Sequence, residues 1–124
     1  MWQKYNCNPE QKNVGDCVIR ALSTALEQSW EETYIGICLQ GYLMCDMPSS
    51  NSVWGAYLRS KGWQRHILSM DYPVGYSVAD FVSEHHGNYV LSLDGHVVAA
   101  KDDIYYDTWD SGDKPVLYYW AKEE

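Results

Sequence analysis

An α+β fold is predicted, with helices in the first half of the chain and an antiparallel sheet in the second. Three observations predict it. Apolar residues recur at helical spacing from Val18 to Leu58. From Asn88 onward they fall in short runs rich in Val, Tyr and Trp. Those runs are separated by the turn formers Asp94-Gly95, Asp102-Asp103 and Gly112 to Pro115. The 124 residues form one domain, 1–124, with no internal repeat and no linker.

The first helix is predicted over Asp16 to Glu27, with Val18, Ala21, Leu22, Ala25 and Leu26 on one face and Asp16 as N-cap. The second begins at Ser29, where Ser29 and Glu32 read as a capping box, and stops at Gly41. The third spans Ser52 to Ser60 and the fourth opens at Ser77, with Asp80 three residues on. Strands are expected over Arg65 to Ser69, Asn88 to Leu93, His96 to Lys101, Ile104 to Trp109 and Val116 to Trp120, in a meander against the helices.

Composition removes several function classes. The net charge of −8 repels phosphate backbones, so no nucleic acid partner is expected. No run nears the roughly 20 apolar residues needed to cross a bilayer, and the start lacks an apolar signal core. A cytoplasmic chain without a membrane partner follows as the expectation. In that compartment Cys7, Cys17, Cys38 and Cys45 are thiols. None forms a CxxC pair, so neither a metal site nor another cofactor is expected. The pair Glu123-Glu124 reads as a solvated end.

One cysteine is placed for chemistry. Cys17 falls in the first turn of the first helix, where free N–H groups and the helix dipole favour a thiolate. A small apolar core residue is the competing reading for that position. His96 follows Gly95 at the head of a strand and is the candidate base; a structural strand histidine is the alternative. His85 and His86 suit a helix C-terminus instead. A third group must orient the imidazole, and the next strand offers Asp107 and Asp110. If Asp102-Asp103 is a two-residue loop, Val98 faces Asp107 and His96 shares a face with Asp107, diagonally placed. A loop one residue longer puts Asp110 opposite His96. The short loop, and with it Asp107, is preferred.

These residues resemble the papain-like cysteine peptidases. The stretch QKNVGDC has a glutamine six residues before the cysteine and an aspartate directly before it. GHVVAA is similar to the family's histidine strand and YYDTW to its aspartate strand. The nearest branch is the small bacterial one that removes double-glycine leader peptides, along with uncharacterised bacterial and phage relatives. That branch usually has glycine after the cysteine, where Val18 stands, and proline after the acid, where Thr108 stands. The resemblance spans about Gln11 to Leu26 and Leu93 to Asp110. It implies a papain-like fold and a Cys17, His96, Asp107 triad. It also implies an oxyanion hole made by Gln11 and the Cys17 amide; Asn6, Asn8 and Asn13 are alternative donors. The implied function is a cysteine-dependent hydrolase or acyl-transfer enzyme acting on a peptide or protein substrate. A deamidase or transglutaminase-like enzyme would use the same triad, and a silent binding or inhibitor module would keep only the fold. The segment MCDMPSSNSVWG lies outside the resemblance and reads as an interhelical loop, or as one cleft wall with Trp54 as an aromatic platform.

Overall fold

The computed structural model describes residues 1–68 and 72–122. Ser69, the end of an expected strand, and the Glu123-Glu124 terminus lie outside the described residues.

The chain opens with a short strand, β1 (Trp2–Lys4), and three helices, α1 (Cys17–Leu26), α2 (Trp30–Met44) and α3 (Asn51–Ser60). It continues through β2 (Trp63–Ile67), α4 (Val78–Glu84), β3 (Asn88–Leu93), β4 (His96–Lys101), β5 (Ile104–Asp107) and β6 (Tyr118–Lys122). The six strands form one mixed sheet in the order β1-β5-β4-β3-β6-β2.

The helix starts follow their caps. Ser29 accepts from the Glu32 amide at the start of α2, and Ser77 and Asp80 close a full capping box on α4. The expected stop at Gly41 is corrected: α2 runs on to Met44 and Cys45 takes the left-handed cap, φ 55°. Gly41 is needed for another reason. A Cβ there would lie 2.8 Å from the Asp46 carbonyl oxygen, so only glycine lets the returning loop pack on the helix.

The expected meander is also corrected. β6 does not pair with β5; it crosses back to lie between β3 and β2, antiparallel to both. The sheet is not purely antiparallel, because β1 pairs with β5 in parallel. Three residues, WQK, carry too little alternation for a strand to be expected there.

Both sheet faces are covered, and the two-residue period sorts side chains between them. Val90, Val97, Ala99 and Trp120 join Leu22, Ile37, Trp54 and Leu58 from α1, α2 and α3. Their neighbours Leu91, Val98 and Ala100 join Val78, Phe81 and Val82 from α4. The Tyr118-Tyr119-Trp120 run splits likewise: Tyr118 and Trp120 pack on the first cluster and Tyr119 on the second. Trp54 is fully buried in the core and is therefore no cleft platform. α2 is apolar on its outer side too, where Ile35, Leu39, Tyr42 and Leu43 are exposed. Among the described residues no helix is long and apolar enough to cross a membrane.

Candidate active site

Two tight turns set the site. Asp94-Gly95 joins β3 to β4 with Leu93 paired to His96, and Gly95 takes the left-handed φ of 71° that the turn needs. Asp102 and Asp103 both have positive φ, 47° and 75°, in a two-residue loop that pairs Lys101 with Ile104. That register continues through Ala100 with Tyr105 and Ala99 with Tyr106. Extending it puts Val98 opposite Asp107, with His96 on the diagonal.

The diagonal closes as a hydrogen bond. His96 Nε2 lies 2.6 Å from Asp107 Oδ2. The bond leaves Nδ1 free of Asp107, and Cys17 lines the same cleft as the His96 ring. β4 and β5 stop pairing at Ala99 and Tyr106, and beyond that point Val97, still paired with Ser92 of β3, lines the cleft beside Cys17. Trp109 packs against the ring at 4.9 Å between centroids, tilted by 39°. Asp110 turns elsewhere: it accepts from the Tyr105 hydroxyl and, at 3.0 Å, from the Gly112 amide. The structure thus brings Cys17, His96 and Asp107 together and leaves Asp110 outside the array.

Asp107 is 1% exposed, and both its oxygens are doubly engaged. Oδ1 accepts from the Thr108 amide at 2.8 Å and from Arg20 Nη1 at 3.2 Å. Oδ2 accepts from Ser111 Oγ at 2.8 Å as well as from His96. Arg20 lies one turn beyond Cys17 on α1. Its Nε also donates to Asp16 Oδ1 at 2.8 Å, so one buried guanidinium ties Asp16, the residue before Cys17, to Asp107. Asp16 does not cap α1 through its side chain; it accepts from Arg20, Trp30 and Asn8. Arg20 and Ser111 are absent from the sequence reading. The i,i+4 spacing of Asp16 and Arg20 was the available signal for the first.

Gln11 departs from its expected place. Its own backbone is left-handed, φ 56°, and its Nε2 donates to the carbonyls of Asn6 at 2.8 Å and Asn8 at 3.1 Å. Both amide hydrogens are held inside the loop. The alternative donors are similarly engaged or displaced: Asn6 Nδ2 donates to the Lys12 carbonyl, Asn8 Nδ2 to Asp16, and Asn13 lines a separate cavity beside Trp109. None of the four lines the cleft over the sulfur.

That cleft has a volume of about 280 Å³ and is walled by Gly15, Cys17, Ser49, Asn51, Ser92 and His96, among others. A larger groove of about 510 Å³ adjoins it through Gly15, Val18 and Ser49 and runs past Val14, Ile19, Trp30 and Tyr34. Ser49 of the interhelical loop and Asn51 at the start of α3 form one wall of the cleft.

The electrostatics favour charge separation. Burial pushes the Cys17 thiol up, but the hydrogen bonds from His96 and Val97 and the charges of His96 and Arg20 outweigh it and hold the thiol below its ordinary value. Burial opposes the His96 charge, yet Asp107 and Cys17 raise the ring to about 9. Burial also opposes ionisation of Asp107, and His96 and Ser111 overcome it. Between the two shifted values the pair is thiolate and imidazolium. Cys7 differs: burial pushes its thiol up. Iodoacetamide alkylation of Cys17, mapped by mass spectrometry against pH, is therefore expected to rise at lower pH than that of Cys7. Parallel profiles for the two thiols would contradict this.

Comparison of the chain with protein-family models, curated proteins and solved structures finds no match. The functional reading therefore stands on the geometry.

Proposed function

We propose that the chain is a papain-like cysteine hydrolase or acyl-transfer enzyme that acts on a peptide or amide carbonyl. One observation carries the reading: thiol and imidazole line one cleft, the imidazole is hydrogen-bonded to a buried carboxylate, and the thiol sits at a helix start. The order of the elements supports it too, since a nucleophile helix packs on a sheet whose adjacent strands carry base and acid.

In the proposed reaction the Cys17 thiolate attacks the carbonyl carbon and an S–C bond forms. The tetrahedral intermediate collapses, the C–N bond breaks, and His96 Nδ1–H gives its proton to the leaving amine. The product is a thioester on Cys17. Water, or an amine acceptor, then attacks the thioester and gives a proton to Nδ1. The C–S bond breaks and the thiolate–imidazolium pair is restored. Asp107 holds the Nε2–H tautomer and stabilises the charged ring throughout.

Hydrolysis of p-nitrophenyl acetate, an activated ester that accepts the same attack, tests the assignment. Asp107→Asn is expected to lower kcat/KM by about 10³–10⁴-fold, because an amide presents the wrong partner to Nε2. Asp110→Asn, whose side chain among the described residues hydrogen-bonds Tyr105 and Gly112 and not His96, should cost less than about tenfold. The reverse ranking would refute the triad.

A further inference from the structure

A site of this kind needs N–H donors aimed at the oxygen that becomes negative during attack. One is built in: the N–H of Cys17, like those of Val18 and Ile19, has no intrahelical acceptor, the first helical bond of α1 being Arg20 N–H to the Asp16 carbonyl. The side-chain partner is missing, since Gln11 is held in its own loop.

Asn51 meets the requirement. It is the first residue of α3 and stands at the rim of the cleft that holds Cys17 and His96. Its orientation is fixed by chemistry. Trp54 Nε1 can only donate, and it lies 3.0 Å from the Asn51 oxygen. The carbonyl end therefore faces the buried indole, and the NH₂ end is turned away from it. That Nδ2 has no hydrogen-bond partner among the described residues. Trp54 is itself immobilised, fully buried against Trp120 at 6.2 Å between centroids. The donor is thus held by a core residue, which is the kind of preorganisation an oxyanion site needs. Two helix N-termini, those of α1 and α3, also meet at the cleft and add positive potential there.

We infer that the side-chain amide of Asn51, with the backbone N–H of Cys17, binds the oxyanion formed when Cys17 attacks a carbonyl. This role rests on the hydrolase reading above and places a catalytic residue at the start of α3. Ser92 Oγ shares the cleft, but a hydroxyl rotates freely and is not oriented by a neighbour as Asn51 is.

Two probes separate this role from nucleophile activation. p-Nitrophenyl acetate acylates Cys17 through a tetrahedral oxyanion. Iodoacetamide alkylates the same sulfur by displacement and forms none. Asn51→Asp keeps an oxygen for Trp54 and removes the donor; Asn51→Ala removes both. Each is expected to slow acylation about 10²–10³-fold, while the plateau rate of alkylation, measured where the thiolate is fully formed, stays at the wild-type value. Thermal melts check that Asn51→Asp is folded. Acylation at the wild-type rate in Asn51→Asp overturns the inference, as does an equal loss with both probes. A selective loss in Ser92→Ala or Gln11→Ala, with none in Asn51→Asp, also overturns it by moving the donor elsewhere. Failure of the hydrolase reading looks different: Cys17 of the wild type is then acylated no faster than Cys45.

Discussion

Cys17→Ala is expected to abolish p-nitrophenyl acetate turnover, a fall on the order of 10⁴-fold or more towards the rate of the ester in buffer. The size follows from the covalent route. Without sulfur no thioester forms, and His96 alone has no bound nucleophile to activate. Stability should change little, because Cys17 is half-buried at a helix start and its loss leaves no large cavity. His96→Ala should lose nearly as much activity, since members of such an array act as a unit. Cys7→Ala, Cys38→Ala and Cys45→Ala should each keep their turnover, as none of these residues lines the cleft. Turnover that survives Cys17→Ala, measured by p-nitrophenolate release, would contradict the assignment.

The second large effect concerns stability. Arg20→Met is expected to destabilise the fold by about 3–5 kcal/mol, because it leaves the buried Asp16 without its cation and Asp107 with His96 alone. Replacing the whole ionic cluster by apolar groups would cost much less than breaking it, so the penalty belongs to the orphaned carboxylates. Chemical denaturation reads it directly. The same change has a kinetic signature. Arg20 helps to hold the Cys17 thiol down, so its removal should move the alkylation profile of Cys17 to higher pH. A variant with wild-type stability and an unmoved profile would remove Arg20 from the account. A variant that unfolds still leaves Arg20→Lys, which keeps one charge but not the fork reaching both acids, and should fall between the two.

The pairing of His96 with Asp107 was legible because a short hairpin converts sequence into register. Once Asp102-Asp103 is a two-residue loop, every facing pair on β4 and β5 follows, and the diagonal relation with it. The helix starts were legible for a similar reason, since Ser29 and Ser77 act within three residues of themselves. Other features depend on contacts far along the chain. Nothing near Trp2 announces that it will lie beside Tyr105, or that β6 will cross back to β3. Gln11 has the spacing of an oxyanion donor, yet its left-handed backbone folds the amide into the preceding loop. Asn51 stands at the cleft only because the tertiary fold, with α3 packed on α2 and β2, brings the start of α3 to the cleft that Cys17 lines. Spacing identifies side chains that share an element; it says little about side chains that meet from two.

The most direct measurement is the location of the acyl group. The protein is mixed with p-nitrophenyl acetate, quenched in acid during turnover and digested for mass spectrometry. A single acetyl group on Cys17, appearing with the initial burst of p-nitrophenolate and disappearing at the rate of turnover, is the predicted result. Acetyl groups spread over lysines and the other cysteines, with Cys17 unmodified, would contradict a nucleophile at the start of α1.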